Sequence, residues 1–401
     1  MAASCQSRSP PLSPPRQFPS EGFPLVAYPR LLEEEAFSWY TPEDFYPVRI
    51  GEIFKSRYQV VGKLGFGSAS TAWLCRDLRG HEYVTLKVYA NKQRQAQREV
   101  HVLHHIESIA TKHAGARIVR KLKDEFEISG NDSTYLCLVH NPLGLTLSDF
   151  RLLLGGKLPP KALKAIVNYL LYALDFLHTE ARVVHTDIQE GNIMFSITDE
   201  TELEAFEKGE RSEPSSRKVD GNRIIYASRG FMVPEKPGLP TLGDFGEARF
   251  GGDYFTEEVM PDLYRAPEIL LKIPWDEKID IWNLGLMVWD MLEGKHLFTE
   301  RLPSREDSRF AHMARIVNLL GPPPGDLLER SDVVDEYFDQ NGKLKEGTEM
   351  PTSLEQEEEV LSGQEKVDFL SFLRKMLQWR PEDRMSARQL MNDPWLKVRQ
   401  R

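Results

Sequence analysis

The spacing of apolar residues changes sharply at residues 141–144, and this change limits the folds open to the chain. Before this point apolar residues alternate with polar ones and are often β-branched, as at residues 58–61, 70–74 and 83–88. Such alternation is typical of β-strands, and the glycines at 65, 67 and 80 would separate the strands of an antiparallel meander. Pro142 and Gly144 then indicate a turn or hinge.

After the hinge the apolar spacing becomes helical. Leu163, Ile166, Val167 and Leu170 follow the period of an α-helix and would lie on one buried face. Helices are predicted at residues 93–109, 161–178, 281–292, 309–320 and 366–377. The chain is therefore predicted to be α+β, with a sheet-rich first part that carries one helix and a mainly helical second part.

Composition limits the class of protein further. With 401 residues, 41% apolar and 28% charged, the chain is expected to be soluble and globular, with one large or two medium domains. No apolar run approaches the length of a membrane span, and three cysteines without metal-ligand spacing suit a reducing compartment. The net charge of -10 disfavours direct binding of nucleic acid and favours basic partners. A monomer without membrane contact is expected.

Two segments differ in composition from the rest. Residues 1–38 are rich in Pro and Ser and are predicted to be a disordered tail. The first 20 residues lack acids, as organellar transit peptides do, but five prolines among them oppose an amphipathic helix. Residues 198–236 are polar and charged, which predicts an inserted loop between two strands.

Two motifs in the second half carry chemistry. Residues 185–192 read HTDIQEGN and residues 243–246 read GDFG. Asp187 would accept the proton of a substrate hydroxyl, and Asn192 with Asp244 would bind Mg²⁺, because this small hard cation prefers oxygen ligands and phosphates. A turn or capping aspartate is the alternative for Asp187. Both motifs in this order favour phosphoryl transfer.

A glycine-rich segment lies between the first two long strands. Its glycines allow backbone amides to approach phosphate oxygens, although Ser70 replaces the third glycine of G-x-G-x-x-G and an ordinary hairpin turn is the alternative. Lys87 could reach phosphates, and Glu99 on the inner face of the next helix would hold that lysine for catalysis. The predicted nucleotide-binding residues of the segment are Leu64, Gly65, Phe66, Gly67, Ser68, Ala69, Ser70, Thr71 and Ala72.

Together these motifs resemble the eukaryotic protein kinases, and residues 264–268 (YRAPE), residues 280–285 (DIWNLG) and Arg384 extend the resemblance. Residues 46–52, 57–60, 63–67 and 70–75, with the form HTDI at 185–188, resemble the SR-protein (serine/arginine-rich splicing factor) kinases more closely. The resemblance covers about residues 40–398 and implies a bilobal fold. The small antiparallel β lobe would span 39–140, the hinge 141–144 and the larger helical lobe 145–398, with a short spacer insert at 198–236.

The resemblance implies a protein serine/threonine kinase that uses ATP and Mg²⁺. It places the backbone of Asn141 and Leu143 at the adenine edge, Ala72 and Thr85 above the ring, and His140 at the gatekeeper position. It further implies a buried Glu268–Arg384 ion pair and a supporting role for Asp280 under the catalytic loop. The implied substrates are basic Arg/Ser-rich, splicing-related proteins, and the implied location is cytoplasm and nucleus.

Departures from the general kinase pattern refine this expectation. Thr186 replaces the Arg that binds an activation-segment phosphate in most kinases, which predicts constitutive activity. Gln189 replaces a Lys that contacts the transferred phosphoryl group, which predicts slow turnover. Ala311 and Asn318 stand where the SR-protein kinases carry acids that dock substrates. An ATP-binding pseudokinase scaffold and a proline-directed kinase are the alternatives.

Overall fold

A computed structural model describes residues 12–91, 94–130, 133–232, 236–298, 305–345 and 352–397. The strands, in chain order, are β1 (Ile53–Phe54), β2 (Tyr58–Phe66), β3 (Ser70–Asp77), β4 (Glu82–Tyr89), β5 (Leu122–Gly130), β6 (Ser133–His140), β7 (Leu143–Thr146), β8 (Val183–Val184), β9 (Ile193–Ser196), β10 (Arg217–Asp220), β11 (Arg223–Tyr226), β12 (Pro240–Leu242) and β13 (Arg249–Phe250). The α-helices are α1 (Arg94–Ser108), α2 (Leu147–Leu153), α3 (Pro160–Phe176), α4 (Thr201–Ser212), α5 (Pro267–Leu270), α6 (Lys278–Glu293), α7 (Arg305–Leu320), α8 (Gly325–Leu328), α9 (Val334–Tyr337), α10 (Leu354–Glu357), α11 (Gly363–Arg374) and α12 (Ala387–Leu390).

The chain divides into two compact units. The first, here called the sheet unit, contains the chain up to Val100 together with Lys121–Leu145 and Ser196–Gly238. The second, the helical unit, contains His101–Arg120, Thr146–Phe195 and the chain from Leu239 onward. The α+β class predicted from the two periodicities is confirmed.

The sheet unit is built on six antiparallel strands in the order β1-β2-β3-β4-β6-β5. The predicted meander is confirmed, since β2, β3 and β4 pair in sequence order. Val60 and Val61 point to opposite faces of β2, yet both are fully buried. Val60 packs in the main core with Cys75, whereas Val61 packs against Phe206 of the insert. Both faces of this strand are therefore covered.

The insert is a folded part of the sheet unit, which differs from the predicted loop. Helix α4 covers one face of the sheet through Leu203 and Phe206. Strands β10 and β11 form an antiparallel hairpin, and Tyr226 of this hairpin packs in the main core with Val60. Gly62 permits the approach of α4, because a Cβ atom there would lie 2.8 Å from a ring carbon of Phe206. Burial of one phenylalanine side chain contributes about 2 kcal/mol. A few apolar residues among many polar ones, including Leu203, Phe206 and Tyr226, thus anchor the insert.

Residues 12–38, here called the N-terminal segment, also differ from the predicted disordered tail, whereas residues 1–11 lie outside the described residues. The backbone N–H of Val26 donates to Arg217 O (2.9 Å), and Arg217 N donates to Pro24 O (3.0 Å). Arg16 and Gln59 exchange two further hydrogen bonds, of 2.8 and 2.7 Å. The segment is ordered because the insert and β2 supply partners for its backbone, which composition alone does not reveal.

The helical unit is centred on α6, whose residues from Ile279 to Glu293 are all buried. A helix that is buried on every side lies in the middle of a large core, and α3 packs against it. The five helices predicted from apolar spacing are observed as α1, α3, α6, α7 and α11, with ends shifted by a few residues. In the part of the chain that the structure describes, no helix is both long and apolar enough to cross a membrane.

Candidate active site

The glycine-rich segment forms the turn between β2 and β3. Gly67 N donates to Ser70 O (2.8 Å) and closes the turn. A Cβ atom at Gly65 would meet nothing within 4 Å, and neither glycine has a positive φ. Protein packing therefore does not require glycine at position 65. The open space above its backbone is compatible with the close approach of a phosphate oxygen that the sequence predicts.

The other predicted nucleotide-binding residues of the sheet unit lie around this turn and along its strands. Leu64 is half-buried, Phe66 and Ser68 are exposed, and Ala69 is buried. Thr71 accepts a hydrogen bond from the Trp73 indole (2.9 Å), so its hydroxyl is engaged within the sheet.

The predicted adenine-binding residues lie on neighbouring strands. Ala72 is paired with Lys87 across β3 and β4, and Thr85 is paired with His140 across β4 and β6. Asn141 follows β6 and is exposed, and Leu143 begins β7 and is buried. The Thr85 hydroxyl is buried and has no hydrogen-bond partner among the described residues, and we have no physical account of it.

Lys87 and Glu99 form the ion pair that their positions predict. Lys87 Nζ lies 2.8 Å from Glu99 Oε2, and Glu99 is 1% exposed. The hydroxyl of Tyr89 also donates to Glu99, and the ammonium group lies 4.8 Å from the centre of the Tyr89 ring. Tyr89 was not among the predicted site residues, although its spacing of two residues from Lys87 places both on one face of β4. The glutamate is thereby held from two sides.

The catalytic loop rests on a buried carboxylate at the start of α6. Asp280 accepts hydrogen bonds from His185 N and Thr186 N, both at 2.8 Å, and from His178 Nε2 at 2.9 Å. These bonds hold Thr186 at a φ of +69°, which is uncommon for a β-branched residue. The supporting role predicted for Asp280 is confirmed.

Asp187 is surrounded by hydrogen-bond donors. Gln189 Nε2 lies 3.0 and 2.9 Å from its two carboxylate oxygens, and Asn192 Nδ2 lies 2.8 Å from Oδ2. Burial raises the pKa of the Asp187 carboxyl, and nearby Asp244 adds to this rise, while His185 and the two amide donors oppose it. A carboxylate with a raised pKa is a better proton acceptor than one in water.

Asn192 and Asp244 are brought together by strand pairing in the helical unit. Ile193 of β9 is paired with Leu242 of β12, and Gly243 N donates to Asn192 O (2.9 Å). Asp244 has a φ of +61°, in the left-handed region that few residues other than glycine adopt. Asn192 directly precedes β9, and Asp244 lies two residues after the end of its partner strand β12.

The donor set at these two residues suits Mg²⁺. The amide nitrogen of Asn192 donates to Asp187. Within the described ranges, no hydrogen bond to Asn192 Oδ1 is found. No group of three or more His, Cys, Asp or Glu among the described residues could hold a metal ion. Mg²⁺ commonly takes one or two protein oxygens together with phosphates and waters. Asn192 and Asp244 fit that pattern.

A cleft of about 520 Å³ lies beside Asp187 in the helical unit. Its walls come from the catalytic loop and the segment after GDFG, namely Thr186, Asp187, Gln189, Glu247, Glu258, Val259, Met260, Pro261 and Arg265. Thr186 Oγ1 donates to Glu247 O (2.8 Å), which fixes the start of this activation segment. A peptide bound in the cleft would lie next to the Asp187 carboxylate.

Ion pairs hold the rest of the activation segment. The Arg265 guanidinium lies 2.9 Å from Glu258 and 2.8 Å from Asp262, and Arg309 of α7 also contacts Glu258. Arg265 O accepts a hydrogen bond from the buried His312 (2.9 Å). The Arg265 guanidinium is therefore paired with carboxylates of the activation segment itself.

Behind the activation segment, Arg384 contacts Glu268 through two hydrogen bonds of 2.5 and 2.7 Å. Glu268 is 0% exposed and Arg384 1%. This bidentate geometry is the strong form of such a pair. The predicted buried ion pair is confirmed.

The sequence matches the protein kinase domain over residues 58–396, so the chain belongs to the protein kinase family. It is a serine/threonine protein kinase. A serine/threonine protein kinase of Aspergillus fumigatus is 42% identical over 389 residues, which cover 96% of this chain and 95% of that protein.

Relatives among the SR-protein kinases are also similar along most of their length. The serine/threonine-protein kinase SRPK of Physarum polycephalum is 28% identical to this chain over 389 aligned residues. The alignment covers 91% of each protein. SRSF protein kinase 3 of Mus musculus is 24% identical over 540 residues and covers 95% of each chain. The predicted relationship to the SR-protein kinases is confirmed.

Proposed function

We propose that this kinase transfers the γ-phosphoryl group of ATP to serine or threonine residues flanked by arginine, and that it does so without phosphorylation of its own activation segment. The observation that carries the proposal is the arrangement of Asp187. It is a half-buried carboxylate with a raised pKa, held by two amide donors, beside a cleft that includes Glu247 and Glu258.

Asp187 would align the substrate hydroxyl and take its proton as the oxygen attacks the γ-phosphorus in line with the leaving oxygen. The Gln189 amide would keep both carboxylate oxygens in place during this step. Lys87, held by Glu99, would bind the phosphates, and the open backbone at Gly65 would accommodate them.

Asn192 and Asp244 would hold Mg²⁺. When bound, Mg²⁺ neutralises charge on the phosphate oxygens. Asn192 would bind it through Oδ1, because its amide nitrogen is committed to Asp187.

The charges of the helical unit favour substrates with basic residues around the phosphorylated serine or threonine. They also suggest that this basic segment is short. The side chain of Glu247 is 40% exposed beside the cleft, whereas Asp253 is paired with Arg182 at 2.6 Å. On α7, Arg315 pairs with Glu357 at 2.9 Å. The side chains that the structure describes on this helix, at residues 309–320, include Arg309 and Arg315 and no acid. We therefore propose short arginine-flanked sites instead of long Arg-Ser repeats.

The names of the relatives support the same substrate class, since one of them is an SRSF protein kinase. By this likeness we propose splicing-related Arg/Ser proteins as substrates, encountered in the cytoplasm or nucleus by a monomeric kinase.

The test compares three peptides that differ only around one serine. One has arginines on both sides, the second has alanines in their place, and the third has alanines and a proline directly after the serine. We expect kcat/KM for the arginine peptide to exceed that of the alanine peptide by about tenfold or more, because a charged contact discriminates strongly. Equal values would reject the substrate class. A preference for the proline peptide would favour the proline-directed alternative.

A further inference from the structure

A fully buried lysine lies on β2, two residues before Gly65 of the glycine-rich turn. Lys63 is 1% exposed. Its ammonium group lies 2.9 Å from Glu33, donates to Glu34, and lies 3.1 Å from the carbonyl oxygen of Tyr226. A buried charge of this kind is tolerated only when it is paired and hydrogen-bonded. The position of β2 at this point is therefore tied to these partners.

The partners come from the two parts of the sheet unit that lie outside its six-stranded sheet. Glu33 and Glu34 belong to the N-terminal segment, and Tyr226 belongs to the insert. The two parts are also bonded to each other, because Ser228 Oγ donates to Glu33 (2.8 Å) and Lys218 Nζ lies 2.7 Å from Glu35. They form one hydrogen-bonded structure, here called the β2 clamp, with Lys63 at its centre.

The clamp reaches the glycine-rich turn itself. Arg229 N donates to Lys63 O (2.9 Å), so the insert bonds the backbone of β2. The ring of Phe37 lies 5.8 Å from the ring of Phe66, and Lys63 Nζ lies 5.5 Å from the same Phe66 ring. Phe66 is the last residue of β2 and is 43% exposed. Contacts of the clamp therefore run from Lys63 to the edge of the turn.

The pairing of β2 with β3 is irregular at this place. The register shifts between Lys63 and Gly65, and a bulge of this kind leaves part of the ladder unpaired. Glycines add little stiffness to such a turn. External contacts are then needed to fix where the backbone amides of the turn point.

We infer that Lys63 is a positioning residue for the glycine-rich turn and that the N-terminal segment and the insert act together, through Lys63 and Phe37, to hold the turn in its phosphate-binding position. This inference rests on the proposed use of ATP. The N-terminal segment and the insert would then affect the affinity for nucleotide rather than the rate of the chemical step.

The experiment measures the Kd of Mg-ATP by calorimetry, together with KM for ATP, KM for peptide and kcat, in the full chain. The variants are Lys63→Met and Phe37→Ala. Lys123→Met is the matched control, because Lys123 is an exposed lysine of the same sheet that pairs with Glu82 at 2.9 Å. Thermal melting establishes whether each variant is folded. If Lys63→Met does not fold, Phe37→Ala tests the inference in its place. Hydrogen exchange is followed at the amides of residues 64–70.

We expect Kd and KM for ATP to rise about tenfold in Lys63→Met and Phe37→Ala, since a small misplacement of a binding element has effects of this size. The peptide KM and the kcat at saturating ATP should stay within about twofold, exchange should be faster at residues 64–70, and Lys123→Met should match the wild type. Unchanged ATP affinity and exchange in a folded variant would overturn the inference. A wild-type chain that does not bind Mg-ATP would instead overturn the proposed function.

Discussion

The side-chain amide of Gln189 donates to both carboxylate oxygens of Asp187, at 3.0 and 2.9 Å. An amide in this position orients the proton acceptor and lowers its pKa, but it brings no positive charge to the transferred phosphoryl group. Sequence comparison alone treats Gln189 as the loss of a lysine. The structure gives it a second role, as the residue that fixes the direction of Asp187.

The first prediction separates these two roles of Gln189. Gln189→Lys should increase kcat about tenfold, because a cation near the transferred group stabilises the charge that develops on it. Gln189→Ala should decrease kcat about tenfold, since Asp187 loses an orienting donor. Steady-state kinetics with saturating ATP and peptide measure both. Identical kcat in all three proteins would show that neither role exists.

The second prediction concerns activation. Phosphatase treatment of the purified kinase should change its activity by less than about tenfold, which corresponds to about 1.4 kcal/mol in the activation barrier. The reason is that Arg265 already forms ion pairs with carboxylates of the activation segment. Glu258→Ala should reduce kcat/KM by about tenfold or more, as removal of an ordering ion pair does. Asp253→Ala is the control, since its exposed carboxylate pairs with the exposed Arg182 of the same unit. A large loss after phosphatase treatment would contradict this account.

The third prediction concerns stability. Arg384→Met should lower the free energy of unfolding by about 3–5 kcal/mol, because it leaves the buried Glu268 charge without its partner. Urea unfolding measures the change. The double variant Glu268→Gln with Arg384→Met should lose less than the sum of the two single variants. Arg374→Met, which removes an exposed pair with Glu355, is the control and should cost clearly less. If Arg374→Met and Arg384→Met lowered the free energy of unfolding equally, burial of the Glu268–Arg384 pair would not explain the effect of Arg384→Met.

The fourth prediction concerns pH. Burial lowers the pKa of His312 from 6.5 to about 4, so the unfolded chain binds a proton below pH 6.5 that the folded chain excludes. Stability should therefore fall as pH decreases from 6.5 toward 4, by about 2 kcal/mol at pH 5 from this group.

His312→Gln keeps a donor for Arg265 O and removes the titration. Urea unfolding of the variant at pH 7 and pH 5 should show a pH-dependent loss smaller than that of the wild type by about 2 kcal/mol. The same loss in both proteins would mean that His312 titrates normally in the folded state.

Strong periodic signals made the fold predictable in large part. The alternation at residues 83–88 and the helical spacing at residues 161–178 each reflect one buried face, and both elements are observed as β4 and α3. The motif residues could be selected from the sequence because phosphoryl transfer demands particular side chains at particular spacings, and their catalytic roles stay predictions. Strand pairing of β9 with β12 then brings Asn192 and Gly243 side by side.

The folded insert and N-terminal segment were not predictable from composition. Their polar sequences hide a few contacts between residues far apart in the chain, such as Lys63 with Glu34 and Gly62 with Phe206. Local propensity does not record such pairings, because their stability comes from tertiary contacts. The hydrogen bonds from Gln189 to Asp187 were not predicted for a similar reason. A motif comparison shows which residue is replaced, but not which atoms the replacement contacts.

We propose that Asp187 and Lys87 are the residues on which phosphoryl transfer from ATP depends most directly. The direct measurement is the transfer of radiolabel from γ-labelled ATP to an Arg-Ser peptide by the wild type, by Asp187→Ala and by Lys87→Ala. We predict measurable transfer by the wild type and a loss of at least about 10²-fold in each variant, the usual scale for a proton acceptor or a phosphate contact. Equal transfer by all three proteins, or none by the wild type, would contradict the claim and favour an ATP-binding scaffold.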